Sequence, residues 1–236
     1  VPGESDVLFW RGKAYRAKSL LDLALADLNG AVKQDPRNVD AFLERGRTQN
    51  DRRKYDAAIN DLSVAISLAP DSADAYVERG VANIGLGRHP EAIADLTKAL
   101  SIAPKDTRAL ALRSRARLES GGAEDALSDA EEGLKIDAKS VPLRLARAAA
   151  LEELEALDEA IAEYRQAIDL APRDPEVRQR LAEALARAHQ EREAVEQLTR
   201  AIELSPGDAE LYFYRANAHF RLSMQREALA DYTQAI

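Results

Sequence analysis

The chain has 236 residues, of which 46% are hydrophobic and 31% charged, too apolar for a disordered tail and too charged for a membrane protein. Cysteine is absent, which excludes disulfides, thiolate metal sites and cysteine nucleophiles, and aromatic residues make up only 5%. A formal net charge of −8 argues against broad phosphate-backbone binding, so nucleic acid is not an expected partner.

No apolar run approaches the roughly 20 residues that a spanning helix needs, so no membrane segment is expected. The most Ala/Leu-rich stretch, RLARAAALEELEALDEAIAEY, carries a charge every few residues. The opening VPGESDVLF lacks the basic-then-apolar pattern of a signal peptide. A soluble chain is expected, with the cytoplasm favoured and the periplasm left open.

From that opening onward the chain repeats. Pro2, Pro36, Pro70, Pro104, Pro172 and Pro206 fall on one ladder of step 34, with Ala138 the single miss. Ala24, Ala58, Ala92, Ala126, Ala160, Ala194 and Ala228 form a second ladder of the same step, and VPGESDVLF returns six periods later as SPGDAELYF. Within each period, segments such as AIADLTKAL and AIAEYRQAI place apolar residues at the spacing of an amphipathic helix. An earlier helix of each period carries a small residue at its middle: Gly12, Gly46, Gly80, Ser114, Ala148, Ala182 and Ala216. Each period therefore reads as two closely approaching antiparallel helices. Two residues past the proline rungs stand Asn38, Ser72, Asp106, Ser140, Asp174 and Asp208, all residue types that cap a helix N-terminus with a side-chain oxygen. Pro142 and Pro175 follow in the first turn, and Pro90 plays the same part in a second helix.

This pattern resembles the tetratricopeptide repeat from end to end. The resemblance implies an all-α fold, an α-solenoid in the form of a right-handed superhelix of helix-turn-helix hairpins. With Pro36 at repeat position 32, the repeats span 5–38, 39–72, 73–106, 107–140, 141–174, 175–208 and, incomplete, 209–236. Residues 1–4 then belong to the end of a preceding repeat, and the phase implies that the chain begins and ends inside a longer array. Position 4, aromatic or Leu in the family, is met by Leu8, Phe42, Tyr76, Leu110 and Tyr212, while Arg144 and Arg178 depart.

Position 7, usually Leu, is here Arg11, Arg45, Arg79, Arg113, Arg147, Leu181 and Arg215. Sixteen residues on, at position 23, stand Asp27, Asp61, Asp95, Asp129, Glu163, Gln197 and Asp231. The acid is present wherever the arginine is, and the one Leu faces a neutral Gln. The expectation is a salt bridge within each hairpin: Arg11–Asp27, Arg45–Asp61, Arg79–Asp95, Arg113–Asp129, Arg147–Glu163 and Arg215–Asp231. Shared ancestry of duplicated repeats gives the same covariation without any bond.

Catalytic constellations are missing. His89, His189 and His219 lie at different repeat positions, so no metal ladder forms, and no H-E-x-x-H motif occurs. GVANIGLGR lacks the Gly-Lys-Ser/Thr ending of a phosphate loop, and EDALSDAEE lacks the glycine and ligand spacing of a calcium loop. Neither catalysis, a cofactor nor a metal is expected.

The resemblance further implies that the first helix of each hairpin lines a concave groove, chiefly through positions 2, 5, 9, 12 and 13. Carried onto this chain, position 5 supplies Phe9, Leu43, Val77, Leu145 and Phe213, and position 9 supplies Lys13, Arg47, Val81, Arg115 and Asn217. Arg108 adds a cation at position 2. These are the candidate contacts for an extended or helical partner segment bearing apolar anchors and some acidic side chains. The same residues also suit plain helix packing. The family's carboxylate clamp needs an Asn at position 6 of a middle repeat, where this chain has Glu44, Glu78 and Leu112. Two other roles remain: self-association through the face of Leu229, Tyr232 and Ile236, or targeting for an enzyme domain outside these residues.

Overall fold

The computed structural model describes residues 3–236. Val1 and Pro2, the first rung of the proline ladder, lie outside the described residues. Fourteen α-helices and no strand are found among them. They are α1 (Glu4–Ala17), α2 (Leu21–Gln34), α3 (Val39–Asp51), α4 (Tyr55–Leu68), α5 (Ala73–Gly85), α6 (His89–Ile102), α7 (Thr107–Glu119), α8 (Ala123–Ile136), α9 (Val141–Glu153), α10 (Leu157–Leu170), α11 (Pro175–Arg187), α12 (Glu191–Leu204), α13 (Ala209–Arg221) and α14 (Gln225–Gln234). The fold is an all-α solenoid of helical hairpins. It divides into two compact units, one running to Gly121 with α1–α7 and one from Gly122 with α8–α14.

Local chemistry sets the helix ends. Asn38 accepts a hydrogen bond from the Ala41 N–H at 2.9 Å, Asp106 from those of Arg108 and Ala109, Asp174 from Glu176 and Asp208 from Glu210. Ser140 departs from this expectation. It occupies the N-cap of α9 but makes no side-chain bond, and Pro142 removes one of the two N–H groups such a cap uses. Where each first helix ends, one residue takes the left-handed conformation, and these residues recur at the repeat period: Ser19, Arg53, Gly87, Gly121, Glu155, His189 and Ser223. That single reversal turns the chain back into the second helix.

Within a hairpin the two helices meet over small residues. Ala24, Ala58, Ala92, Ala126, Ala160 and Ala194 are fully buried, and Ala228 nearly so. A Cβ on Gly46 would lie 2.6 Å from Leu62 Cγ, and one on Gly80 would lie 2.9 Å from Leu96 Cγ. The glycine is therefore required by a close approach rather than by a turn. In the first unit the core runs through Phe9, Leu28, Val32, Leu43 and Leu62. In the second it is built from Leu151, Tyr164, Leu181, Leu185, Leu198 and Leu211. Each fully buried Leu of these layers is worth about 1.5–3 kcal/mol relative to exposure.

Candidate functional site

Each first helix presents two kinds of polar contact, one inward to its own hairpin and one along the array. The inward contact is the arginine of position 7. Arg11 Nε and Nη2 donate to the two oxygens of Asp27 at 2.6 and 2.7 Å, and Arg215 does the same to Asp231 at 2.9 and 2.7 Å. Arg45 grips Asp61 in the same way, and Arg147 donates to Glu163. Leu181 is buried, and its facing Gln197 accepts instead from Arg178 Nη1 at 3.0 Å. Arg113 and Asp129 belong to different units, and their pairing stays an expectation.

The third nitrogen of these arginines makes a contact that sequence spacing did not anticipate. Arg45 Nη1 donates to Asn29, Arg79 to Ser63, Arg113 to Thr97 and Arg215 to Thr199, each on the second helix of the preceding hairpin. Arg147 reaches Glu131 likewise. One guanidinium thus ties its own hairpin together and docks it on the one before. Arg144 and Arg178, which depart from the aromatic pattern at position 4, replace it chemically. Their Nη2 atoms donate to the carbonyls of Ala138 and Pro172, six residues back, where Tyr212 uses its hydroxyl on Pro206.

The candidate groove residues separate by unit. In the first, Phe9, Leu43 and Val77 are buried and Val81 is half-buried, so these side chains form wall rather than exposed contact surface. Lys13 is exposed with its ammonium 5.1 Å over the Trp10 ring. Arg47 is already engaged: it donates to Asp74 at 2.6 Å and to Glu78 at 3.2 Å. Arg108 closes on the same Glu78 at 2.8 Å, and Asn50 donates to it as well. The charges and hydrogen bonds of Arg108 and Arg47 outweigh burial and hold the Glu78 carboxyl below the usual range. Arg16, which sequence reasoning missed, bridges Glu44 and Asp51 in the same fashion. Arg115 pairs with Glu119 one turn along α7. Glu44, Asp74 and Glu78 of this face thus carry their own arginines.

The second unit differs. Leu145 is half-buried against the core. Phe213 is exposed, edge-on to Tyr214 with centroids 5.9 Å apart, and Asn217 accepts from the Tyr232 hydroxyl at 2.7 Å. Between α11 and α13 lies an open cavity of about 470 Å³ whose lining includes Glu176, Gln179, Arg180, Glu183, Asp208, Glu210 and Tyr214. Its one cation, Arg180, is held by Glu176 at 2.9 Å. Glu183 accepts from Gln179 at 3.0 Å, and Glu210 from the Tyr214 hydroxyl at 3.2 Å. Burial pushes the Glu183 carboxyl up, outweighing the Gln179 hydrogen bond and the Arg180 charge, and the nearby charges of Glu152 and Glu210 add to the rise. No sequence pattern flagged this cavity, because its residues depart from the apolar-and-basic ladder that the groove was expected to continue.

Three family models, each described as tetratricopeptide repeat, match residues 52–117, 112–175 and 151–213. The chain belongs to the tetratricopeptide-repeat family. Among solved structures, a tetratricopeptide repeat protein from Parabacteroides merdae ATCC 43184 is 21% identical, with 98% of this chain and 92% of that one covered and a TM-score of 0.80. The MamA protein is 24% identical over 71% of this chain and 91% of its own, with a TM-score of 0.62. YrrB, described as a TPR protein with an unusual peptide-binding site, is 16% identical over 76% and 92%, with a TM-score of 0.57. These likenesses show the fold. No curated protein matches the chain. No helix among the described residues of this tetratricopeptide-repeat chain is long and apolar enough to cross a membrane. No group of three or more His, Asp or Glu side chains among them is placed to hold a metal ion.

Proposed function

We propose that this tetratricopeptide-repeat chain is a non-catalytic interaction scaffold that takes an extended partner segment on the first-helix face of its second unit. The observation that carries the reading is the open cavity between α11 and α13, ringed by polar side chains and an aromatic edge. The peptide-binding site named for YrrB supports a peptide as the class of ligand. The first unit's face contributes rigidity, because its acids and arginines satisfy one another. A displayed library of random peptides, selected on the purified chain, tests this. Selected peptides are expected to lose at least tenfold in affinity for Tyr214→Ala and to keep it for Arg115→Glu. Equal binding to both variants would place the site elsewhere.

Self-association is the second reading, and one observation favours it. Leu229 is exposed on α14 with Tyr232 half-buried beside it, an apolar face that a second copy would cover. Light scattering across a dilution series decides, and a constant monomer mass removes this reading.

A further inference from the structure

The two units answer the same structural question differently. In the first, Arg47 at position 9 of its repeat reaches forward to position 2 of the next repeat, Asp74, and to position 6, Glu78. The equivalent positions in the second unit are Glu183, Glu210 and Tyr214. The arginine has become an acid, the acid at position 2 remains, and the buried Glu has become a tyrosine. The cavity of about 470 Å³ lies where these three groups converge. Among the described residues neither Glu183 nor Glu210 forms an ion pair, one accepting from an amide and the other from a phenol, and the charge of Arg180 acts on Glu183 only from a distance. Arg180, the cation of the lining, is spent on Glu176.

We infer that the cavity between α11 and α13 binds an arginine side chain of a basic partner segment, with Glu183 and Glu210 taking its guanidinium as Asp74 and Glu78 take that of Arg47. This rests on the peptide-scaffold reading and names the chemistry of its ligand. The chain itself supplies the precedent: with Arg47 at position 9, Asp74 and Glu78 ahead of it are closed, whereas with Glu183 at that position, Glu210 and Tyr214 ahead of it border a cavity. A carboxylate pair offers a planar fork the two acceptors it fits, and the Tyr214 ring edge adds a face on which a guanidinium stacks. Burial of Glu183 sharpens the preference, since a carboxyl that is costly to ionise alone gains most from an incoming cation. An acidic segment, the sequence expectation, finds Arg47, Arg108 and Arg115 of the first unit already paired and Arg180 of this cavity held by Glu176.

The test uses the whole chain and three labelled decapeptides of alternating Arg-Ala, Glu-Ala and Ser-Ala, titrated by fluorescence anisotropy. The Arg-Ala peptide is expected to bind at least tenfold more tightly than the other two, and raised salt weakens it. Glu183→Gln and Glu210→Gln each cost about fivefold to tenfold, the range for one charge-assisted hydrogen bond. Glu183→Arg, which rebuilds the arrangement of the first unit, abolishes binding. Glu203→Arg on the exposed side of α12 makes the same change in net charge and leaves it intact. Thermal melts show whether each variant is folded. Equal affinity for Arg-Ala and Ser-Ala, or unchanged binding to the folded Glu183→Arg variant, overturns the inference. If Glu-Ala or Ser-Ala binds in a Tyr214-dependent manner, the groove stands and only its chemistry is wrong. If no peptide binds, both readings fall.

Discussion

Arg79 holds both oxygens of Asp95, with Nη2 at 2.6 Å and Nε at 2.9 Å, while its Nη1 donates to Ser63 on the hairpin before. Asp95 is buried and also accepts from Asn83, so its carboxylate is fully paired and shielded while the Arg79 side chain stays partly exposed. A fully paired buried carboxylate contributes through geometry, and removing one partner strands the other. A double-mutant cycle with Arg79→Met and Asp95→Asn is expected to give a coupling of about 1–3 kcal/mol in denaturant melts. Coupling near zero would leave common ancestry as the sole reason for the Arg–acid covariation.

The glycine of the first helix gives a second prediction. Ala is the better helix former by about 1 kcal/mol, so Gly46→Ala looks favourable on propensity alone. Its Cβ would stand 2.6 Å from Leu62 Cγ and 2.9 Å from Cδ2, against a side chain that is fully buried and has no room to move. Overpacking of this kind costs about 1–3 kcal/mol and prevails. Gly46→Ala should lower the melting temperature, and adding Leu62→Ala should make the substitution at 46 neutral or favourable.

The five Arg–acid pairs that lie within one unit, and the small-residue contacts, were legible in the sequence because each repeats at one fixed spacing. Arg11–Asp27 and Arg215–Asp231 are the same bond six repeats apart, and a single sequence shows both. The groove was not legible for the opposite reason. Its contacts join successive repeats through residues that change from one repeat to the next: Arg16 with Glu44, Arg47 with Glu78, Arg108 with Glu78. Burial also escaped notice. Phe9, Leu43 and Val77 share the periodicity of an exposed ladder, yet neighbouring helices cover them, and periodicity alone does not separate a groove wall from a groove surface.

Glu78 ties acid stability to the first unit. Its carboxyl lies below the ordinary value of 4.5 in the folded chain, so the folded state holds its proton less tightly than the unfolded state does. The stabilisation is therefore complete above that ordinary value and is lost as pH falls through the lower folded value. Glu78→Gln should cost about 1–3 kcal/mol near neutrality, because Arg47 and Arg108 keep a neutral acceptor in place of a charged one. The gap to the parent chain should narrow on acidification below 4.5 in urea melts. A gap that is constant with pH would show that Glu78 acts by packing alone.

The left-handed residue between the helices of each hairpin separates backbone strain from packing. Gly87 has φ of +69° and nothing closer than 4.0 Å to a Cβ built on it, so a side chain there meets space but the wrong backbone region. Gly87→Ala should cost about 1 kcal/mol, the penalty of holding a β-carbon in that conformation. The same reasoning runs backwards at Glu155, whose φ of +59° is occupied by an ordinary residue. Its carboxylate makes only a long contact to Arg187 at 3.4 Å on an exposed surface, which is worth little. Glu155→Gly relieves the strain and frees the unfolded chain, two terms of similar size, so its melting temperature should stay level or rise slightly. A loss at Glu155→Gly as large as that at Gly87→Ala would mean that the Arg187 contact, not the backbone, fixes this turn.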